Sequence, residues 1–459
     1  MDRIQDLGVP IALSALVVTL LASYLFSVSR RLHGPHTPDE VLSDEEIASR
    51  KEAWKKINML DSIPPTTTGE GYAVIGGSGM LGSCIVHLLL LRKETNIRII
   101  DIRPPRDPSL LQNPAVTFVQ TDITSLPSVK EALLSPFPKT RKAPSVIFFT
   151  AIVVRFWERA RYCLPASWAV NVDGMRNVLE VMKDLPGEPL FVYTSTAELS
   201  VPGPNLWVAN EDREYPRKMP VFGDGEVSYS EKRCYVRSKF AAEQLVIAAD
   251  KSPDTGRHGI IRPGFAILGY GDFLIDPLLR MPSAPLMDSG WASSFIVGWD
   301  AAAAALLMED ALRKRPQDVR GSPFLVTGKD EPWAYGKLRH TAKKASHPDL
   351  KLFPLPLLFM FLLSHVVEAL LFVRFHILQG LFLLGVISKP SITPKWIGQL
   401  LMLQPSTFCN LAEFKLDDQR ARKALGYRPQ WGNLEGIMDI AEKIKQEKGV
   451  FDMRTAWVR

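Results

Sequence analysis

Hydrophobic and polar positions in the middle of the chain change period repeatedly, and this pattern predicts alternating strands and helices. Five short, continuous apolar runs predict buried strands of a parallel sheet: residues 72–75, 97–100, 116–119, 145–151 and 191–196. Residues 83–91 and 171–179 have the pattern of helices between these strands. The alternation predicts an α/β fold with a doubly wound parallel sheet of the Rossmann type.

The N-terminal pattern is different, because residues 9–28 carry no charge. At 1.5 Å per residue, about 20 helical residues can cross a hydrocarbon core of about 30 Å, so residues 1–29 are expected to form a transmembrane anchor. A cleaved signal peptide is the alternative, but its apolar region is shorter. Arg30 and Arg31 follow the span. The positive-inside rule therefore predicts a single-pass protein with its catalytic domain in the cytosol.

The remaining pattern divides the rest of the chain into three parts. Residues 30–70 are expected to form a linker with a short helix, which Ser43 and Glu46 begin as a capping box. Residues 71–262 are expected to form the nucleotide-binding Rossmann domain, and residues 263–459 a smaller, mostly helical substrate-binding region. Within the latter, residues 352–388 are strongly apolar but interrupted by charges, which favours a hairpin or pair of interfacial helices at the membrane over a second spanning helix. A buried core helix is the alternative.

Composition narrows the class of protein. The 459 residues are 46% hydrophobic and 23% charged, which is typical of a globular protein of two or three domains. The net charge is +6, but the chain has no dense basic run with interleaved aromatics, so a membrane surface is a better partner than nucleic acid. The four cysteines are scattered, which argues against a zinc site and a disulfide framework. No metal is expected.

A glycine-rich turn follows the first strand and marks a candidate dinucleotide site. Gly76, Gly79 and Gly82 allow a tight turn and close approach of a pyrophosphate, whose charge the amides of the following helix would meet. Met80 and Leu81 lie within this turn and belong to the same candidate site. Because the turn stands between a predicted strand and a predicted helix, it indicates nucleotide binding more strongly than the glycines alone.

Three polar residues near the next strand ends bear on the choice of cofactor. Asp101 comes 19 residues after Gly82, where a carboxylate can bind the adenosine ribose. It would repel a 2′-phosphate, which favours NAD, whereas Arg103 could accommodate one and keeps NADP open. Asp122 could bond the adenine amino group or, equally, cap a helix.

Tyr235 and Lys239 indicate oxidation of an alcohol by a nicotinamide cofactor. A phenol is a poor base at neutral pH, but an ammonium four residues on, one helical turn away, could favour the phenolate by roughly a few pKa units. Thr196 ends the predicted strand 191–196, where the carboxyl ends of parallel strands face the ligand crevice. Its hydroxyl is therefore placed to bond a substrate oxygen.

The motifs together resemble those of the extended short-chain dehydrogenases. They are Gly76-x-x-Gly79-x-x-Gly82, Asn171-Val172-Asp173-Gly174, Tyr193-Thr194-Ser195-Thr196, Tyr235-x-x-x-Lys239 and Ile261-Arg262-Pro263-Gly264. Within that superfamily the chain is similar to the branch of 3β-hydroxysteroid dehydrogenases and sterol-4α-carboxylate 3-dehydrogenases (decarboxylating). The resemblance implies that Tyr235 is the general base, that Lys239 lowers its pKa and holds the ribose, and that Thr196 orients the substrate. It also implies that Asn171 supports a proton relay, with a capping or packing asparagine as the alternative, and that Pro263 lies at the cofactor.

The function implied by this resemblance is oxidation of the 3β-hydroxyl of a 4-carboxysterol or related triterpenoid to a 3-ketone, with loss of the carboxylate as carbon dioxide. The implied location is the endoplasmic reticulum membrane, with membrane lipid as a partner, and a homodimer or association with other membrane sterol-modifying enzymes is compatible with it. Three alternatives remain: a 3β-hydroxysteroid dehydrogenase/isomerase without decarboxylation, a sugar-nucleotide epimerase or dehydratase, and a catalytically inactive membrane scaffold.

Overall fold

A seven-stranded parallel sheet forms the centre of the computed structural model, which describes residues 2–36, 40–204, 206–207, 219–225, 233–287 and 290–447. The strands are β1 (Tyr72–Ile75), β2 (Ile97–Asp101), β3 (Val116–Gln120), β4 (Val146–Phe149), β5 (Leu190–Thr194), β6 (Arg257–Pro263) and β7 (Pro323–Val326). Their order across the sheet is β7-β6-β5-β4-β1-β2-β3. The Rossmann-type fold expected from the alternating pattern is confirmed.

Fifteen α-helices are described around this sheet. They are α1 (Asp2–His33), α2 (Asp44–Trp54), α3 (Met80–Leu91), α4 (Pro108–Gln112), α5 (Leu126–Leu134), α6 (Leu164–Trp168), α7 (Gly174–Met182), α8 (Cys234–Asp250), α9 (Asp276–Arg280), α10 (Gly298–Lys314), α11 (Pro316–Val319), α12 (Tyr335–Ser346), α13 (Leu357–Leu383), α14 (Gln419–Leu425) and α15 (Asn433–Gln446). Short two-stranded pairs join outlying segments, such as Ser283–Leu286 with Lys351–Pro354.

Alternate residues of each strand pack against helices on opposite faces of the sheet. Tyr72 and Val74 of β1 lie in the core that contains α3 and α10, whereas Ala73 and Ile75 lie in the core that contains α5, α7 and α8. Because both faces are covered, most strand positions are apolar and buried, and the exceptions on interior strands include the buried residues Arg98, His258 and Arg262. The layers are therefore helix, sheet and helix, as in doubly wound folds.

The strand order changes direction between β1 and β4, which fixes the position of the ligand crevice. β1 pairs with β2 on one side and with β4 on the other, and Ile75 lies opposite Phe149 at the carboxyl end. In open parallel sheets, ligands bind at this point because the connections leave it in opposite directions. The glycine turn after Ile75 opens into this crevice.

The sheet continues beyond the expected domain boundary at residue 262. β6 ends at Pro263, and the chain later returns through α10 to add β7 beside it, with Val326 opposite Pro263. A parallel strand needs such a helical crossover to reach the same sheet. The region 263–459 therefore supplies part of the Rossmann body as well as the mostly helical C-terminal region.

The segment 30–70 packs on the body and is not the free spacer that the sequence suggests. α1 continues to His33, and Val28 and Leu32 near its end are fully buried. Ser43 caps α2 as predicted, since its hydroxyl accepts the Glu46 N–H at 3.1 Å. Arg50 on α2 then binds the carboxylates of Glu435 and Asp330 near α15.

The apolar stretch 352–388 contains one long helix, Leu357–Leu383, so the expectation of a hairpin or pair of helices is wrong. α13 runs unbroken for 27 residues from Leu357, after Pro354 and Pro356. Its polar side chains do not break it because they bind partners outside the helix: Glu368 binds Arg159, and His365 accepts a hydrogen bond from Trp207. Residues 13–33 of α1 and all of α13 are long and apolar enough to cross a membrane, by length and composition alone.

Candidate active site

The glycine turn brings α3 close to β1 by using positions that no side chain could occupy. Gly76 has φ of +80°, and a Cβ there would lie 2.4 Å from the Ala151 nitrogen. A Cβ at Gly82 would lie 2.2 Å from the Gly76 carbonyl oxygen. Gly79 is the N-cap of α3 and has no side chain with which to satisfy the first amides of the helix. Those amides therefore remain directed at the crevice, where they can bind an anion.

Met80 and Leu81 begin α3, and their side chains point into the protein. Leu81 belongs to the buried core, and Met80 packs so closely that a Cβ at Gly269 would lie 2.9 Å from its sulfur. Their contribution to a nucleotide site would therefore come from the backbone amides. Pro263 is buried at the carboxyl end of β6, which places it at the same edge of the sheet.

Asp101 is held against the glycine turn. Its carboxylate accepts the Ser78 N–H at 3.1 Å and the Arg103 N–H at 3.3 Å, while burial raises the pKa of Asp101 above its usual value. Arg103 itself is exposed. Asp122 after β3 is also exposed, and its Oδ1 closes a local turn by accepting from the amide and hydroxyl of Thr124 at 2.9 and 2.8 Å. A turn-forming role for Asp122 is thus visible, and adenine recognition stays a prediction.

Tyr235 and Lys239 lie one turn apart on α8, both buried at the carboxyl edge of the sheet. The Lys239 Nζ donates to the Thr194 carbonyl at 2.6 Å and lies 4.3 Å from the centroid of the Tyr193 ring. Burial lowers the pKa of Lys239 to about 7, although Glu243 opposes this shift. The lysine is therefore tied to the end of β5 in this structure.

The Thr196 hydroxyl acts on the Tyr235 phenol and favours its ionised form, which lowers the pKa of Tyr235, and it accepts the Glu198 N–H at 3.2 Å. Burial raises the pKa of Tyr235 above its usual value, and Glu198 adds to the rise, while Thr196 and Arg233 oppose it. Lys239 is not among the groups that shift the pKa of Tyr235 here, since its ammonium is directed at the Thr194 carbonyl, and its effect on the tyrosine stays a prediction. The pairing of Thr196 with Tyr235 agrees with the roles expected from the sequence.

Asn171 is a packing residue in this structure. It lies in a π-helical turn, Ala169–Asp173, which is a rare geometry found mostly at functional sites. Its Oδ1 accepts the Val153 N–H at 2.8 Å, and its Nδ2 donates to the Val153 carbonyl at 3.1 Å and to the Ser238 hydroxyl at 2.9 Å. Ser238, which the sequence did not single out, in turn donates to the Tyr235 carbonyl at 2.7 Å. Asn171 thus positions the helix that carries Tyr235 and Lys239.

A buried ion pair beside Tyr235 is the main feature that sequence reasoning missed. Arg233 Nη1 lies 2.5 Å from Glu198 Oε2, and both side chains are at least nine-tenths buried. Arg233 precedes Tyr235 by two residues, and Glu198 follows Thr196 by two residues. The pair therefore joins the two segments that hold the candidate catalytic hydroxyls. The spacing from each motif is visible in the sequence, but the pairing across 35 residues is not.

Apolar side chains enclose the remaining side of Tyr235. The buried cluster that contains Tyr235 draws on five segments and includes two residues of α13: Phe156, Trp157, Leu199, Val236, Val367, Leu371 and Leu401. Arg159 binds α13 beside this cluster. Its Nε and Nη2 donate to the two carboxylate oxygens of Glu368, at 2.8 and 2.7 Å. A cavity of about 520 Å³ lies where residues 159–160 meet α13. It is lined by Arg159, Ala160, His365, Glu368, Ala369 and Phe372.

Comparison with known sequences identifies relatives of one kind. A family model for the 3-beta hydroxysteroid dehydrogenase/isomerase family matches residues 73–280. The 3 beta-hydroxysteroid dehydrogenase/Delta 5-->4-isomerase of Monkeypox virus is 32% identical over 184 residues, which cover 39% of this chain and 46% of the viral protein. Human 3 beta-hydroxysteroid dehydrogenase type 7 is 32% identical over 189 residues, covering 39% and 44%. The match therefore spans less than half the length of these relatives.

Solved structures with the same fold come from a wider group. The epimerase Mth375 of Methanothermobacter thermautotrophicus has a TM-score of 0.56 at 14% identity, covering 84% of this chain and 95% of its own. MoeE5, solved in complex with UDP-glucuronic acid and NAD, has a TM-score of 0.54 at 16% identity, covering 82% and 99%. At these identities the likeness shows the fold alone.

Proposed function

We propose that the protein, whose residues 73–280 match the model of the 3-beta hydroxysteroid dehydrogenase/isomerase family, oxidises the 3β-hydroxyl of a membrane-dissolved sterol or triterpenoid with NAD. The finer proposal is that the substrate carries a carboxylate on carbon 4, which leaves as carbon dioxide after the oxidation. The observation that carries the proposal is the site of Tyr235. The Thr196 hydroxyl acts on this buried phenol, and the phenol belongs to an apolar cluster that includes Val367 and Leu371 of α13.

The residues at the crevice fit a dinucleotide. The turn at Gly76 and Gly82 has no room for a Cβ, and the amides at the start of α3 are available to a diphosphate. The Asp101 carboxylate, which accepts the Ser78 N–H, would bind the adenosine ribose. Its charge would repel a 2′-phosphate, which favours NAD over NADP. The solved complex of MoeE5 with NAD supports the same assignment for a protein of this fold. When bound, NAD accepts the hydride from the carbinol carbon.

The chain's own residues would position and deprotonate the alcohol. The substrate hydroxyl would replace part of the Thr196–Tyr235 contact and bond both side chains. Tyr235 would then take the proton, and Thr196 would fix the direction of the hydroxyl hydrogen. For this step the pKa of Tyr235 must fall from its raised value in the present structure. Lys239 would assist if its ammonium turned from the Thr194 carbonyl towards the ribose and Tyr235, where its positive charge would favour the phenolate.

Loss of carbon dioxide would follow from the product itself. Oxidation at carbon 3 beside a carboxylate on carbon 4 gives a β-keto acid. Its carbon–carbon bond to the carboxylate breaks, the electron pair moves towards the ketone oxygen as an enolate, and a proton then returns to carbon 4. A substrate without that carboxylate would stop at the 3-ketone. This is the dehydrogenase activity without decarboxylation that remains the alternative.

The apolar outer surface supports a lipid substrate and membrane attachment. Val366, Leu370 and Val373 on the outer face of α13 are each more than half exposed, while Val367 and Leu371 on its inner face contact the cluster around Tyr235. α13 thus separates the candidate base from an apolar surface. We propose that α1 anchors the protein with its catalytic body in the cytosol, in the endoplasmic reticulum, and that α13 rests at the membrane. Homodimers and complexes with other sterol-modifying enzymes remain predictions.

Two other functions have less support. A sugar-nucleotide epimerase or dehydratase shares this fold, but the apolar wall around Tyr235 would not suit a charged sugar nucleotide. A catalytically inactive scaffold would have no need to keep Thr196, Tyr235 and Lys239 together as buried polar side chains.

The decisive experiment uses the full-length protein in detergent or lipid nanodiscs. Reduction of NAD would be followed by absorbance with a 4-carboxy-3β-hydroxysterol, the same sterol without the carboxylate, and UDP-glucose. We expect reduction with the acid and release of carbon dioxide in equal amount. Reduction with the neutral sterol alone would support the alternative dehydrogenase. Conversion of the sugar nucleotide alone would overturn the proposal.

A further inference from the structure

The cavity beside α13 has no part in the chemistry described above, yet its walls continue into the buried cluster that contains Tyr235. One wall is the segment of residues 156–160. Phe156 and Trp157 in this segment belong to the cluster, whereas Arg159 and Ala160 line the cavity. The two spaces therefore share this segment.

The other shared wall is α13 itself. Val367 and Leu371 belong to the cluster, and Glu368 and Phe372, which directly follow them, line the cavity. Successive residues of an α-helix point about 100° apart, because one turn holds about 3.6 residues. The cavity and the cluster thus lie on neighbouring faces of α13.

Short contacts join the first wall to the helix that carries the candidate base. The Glu158 carbonyl accepts the Cys234 N–H at 2.8 Å, and the Ala160 carbonyl accepts a hydrogen bond from the Cys234 thiol at 3.4 Å. Cys234 directly precedes Tyr235 in α8. Because Ala160 lines the cavity, a single residue, Cys234, connects the cavity lining to Tyr235.

The lining is amphipathic, which suits a sterol. Its polar part includes the Arg159–Glu368 ion pair, and its apolar part includes Ala369 and Phe372. A carboxylate has about four acceptor sites, and Arg159 uses two of those on Glu368, so Glu368 can also accept a hydroxyl hydrogen. The volume of about 520 Å³ lies within the range of about 300–1,000 Å³ that is usual for sites of small organic ligands.

The cavity lies on the side of the protein where the two long apolar helices meet. Phe372 is 48% exposed, so the lining continues into the apolar outer surface of α13. His365, which also lines the cavity, accepts a hydrogen bond from the Trp207 ring N–H at 3.1 Å. The Trp207 carbonyl in turn accepts one from the Tyr24 hydroxyl of α1 at 2.8 Å. The proposed anchor and the cavity are thus joined through one residue.

We propose that this cavity is a second sterol site, which receives the substrate from the membrane before it reaches Tyr235. The polar end of the sterol meets the Arg159–Glu368 pair, and its rings pack on Ala369 and Phe372. This inference rests on the proposed function for the identity of the occupant. A route along α13 keeps the rings in contact with apolar side chains between the bilayer and the cluster, so that little apolar surface meets water.

Photolabelling tests the site without turnover. Full-length protein in phosphatidylcholine nanodiscs, without NAD, would receive a 3β-hydroxysterol that carries a photoreactive diazirine, and the labelled peptides would be identified by mass spectrometry. We expect label on residues 159–160 or 365–372. An approximately tenfold excess of unlabelled sterol should suppress this label about tenfold, by competition for one site.

Two tryptophan variants test whether the site lies on the route of the substrate. Ala369→Trp fills the cavity with an indole, whereas Leu370→Trp places the same ring on the outer face of α13, where Leu370 is 64% exposed. We expect Ala369→Trp to lose the label and to lower kcat/KM for a 4-carboxy-3β-hydroxysterol by about tenfold or more. The effect on kcat should be smaller, because entry of the substrate is impeded and the chemistry is not. Leu370→Trp is the control and should keep both the label and kcat/KM.

The outcomes separate this inference from the proposed function. Label at the cavity without oxidation of any sterol would support the site and refute the proposed function. Oxidation of a sterol without label at the cavity would overturn the inference alone, as would an unchanged kcat/KM in Ala369→Trp or an equal loss in both variants. If Ala369→Trp does not fold, competition in the wild type decides, because label that excess sterol does not reduce comes from bulk lipid and overturns the inference.

Discussion

Lys239 is a buried ammonium, and the energetic cost of its burial predicts that its removal changes how stability depends on pH. Its Nζ contacts the Thr194 carbonyl at 2.6 Å and the face of the Tyr193 ring. Burial lowers the pKa of Lys239 from 10.5 to about 7. The substitution Lys239→Met keeps most of the apolar stem and removes the titrating group.

The sign and size of the effect follow from that shift. Because the folded-state pKa lies below the unfolded value, the folded protein binds fewer protons between pH 7 and pH 10.5. The free energy of unfolding therefore rises with pH across this window, and the cost of the buried charge is fully present below pH 7. The pKa falls by about 3.5 (10.5 − 7), and each pKa unit corresponds to about 1.4 kcal/mol. The free energy of unfolding should therefore rise by roughly 5 kcal/mol over the whole window, of which about 2 kcal/mol falls between pH 7 and pH 9. The contacts with Thr194 and Tyr193 favour the charged form, so these figures are upper limits.

The assay is denaturant unfolding of the wild type and Lys239→Met in the same detergent at pH 7, 8 and 9. The difference between the two proteins cancels the titration of shared groups. We expect the wild type to gain about 2 kcal/mol relative to the variant between pH 7 and pH 9. Lys251→Met, at the exposed end of the same helix, should show no such gain. Parallel pH profiles for wild type and Lys239→Met would refute the reasoning, because Lys239 would then keep its ordinary pKa in the fold.

Four other substitutions test the site. Tyr235→Phe should lower kcat by about 10²- to 10⁴-fold, the range for loss of a general base, with an unchanged circular dichroism spectrum; near-normal turnover would exclude Tyr235 as the base. Asp101→Asn removes the charge that opposes a 2′-phosphate. The ratio of kcat/KM with NADP to kcat/KM with NAD should therefore rise at least about tenfold, and an unchanged ratio would show that Asp101 does not determine the choice of cofactor. Gly82→Ala places a Cβ 2.2 Å from a carbonyl oxygen and should weaken NAD binding in calorimetry, whereas Gly223→Ala, with no atom within 4 Å, should not. Asn171→Ala leaves the Val153 backbone without its partner and should lower the free energy of unfolding by about 1–3 kcal/mol; a neutral result would argue against its positioning role.

The sheet was predictable because its strands are continuous apolar runs and both of its faces are covered. The run at residues 72–75 matches β1 in full. The turn after it leaves no room for a Cβ at Gly76 or Gly82, so these positions require glycine. The meeting of Thr196 and Tyr235 was also expected, since the ends of parallel strands and the following helices share one edge of the sheet.

Features that depend on contacts between distant segments were not predictable in the same way. The charge of Glu368 suggests a break in an apolar segment, but Arg159, 209 residues earlier in the chain, neutralises it and α13 continues. The orientation of the Lys239 side chain could not be predicted, because its spacing from Tyr235 fixes only the helical face. The direction of its ammonium is set by the Thr194 carbonyl, which no spacing rule includes.

The central claim is hydride removal from the carbinol carbon of a membrane sterol, and an isotope-labelled substrate tests it most directly. A 4-carboxy-3β-hydroxysterol with deuterium on carbon 3 would be incubated with the full-length protein and NAD, and both products analysed by mass spectrometry. The account predicts deuterium in the reduced cofactor, in equal amount with a 3-ketone that lacks the carboxylate. Recovery of the labelled sterol unchanged, with no deuterium in the cofactor, would contradict it.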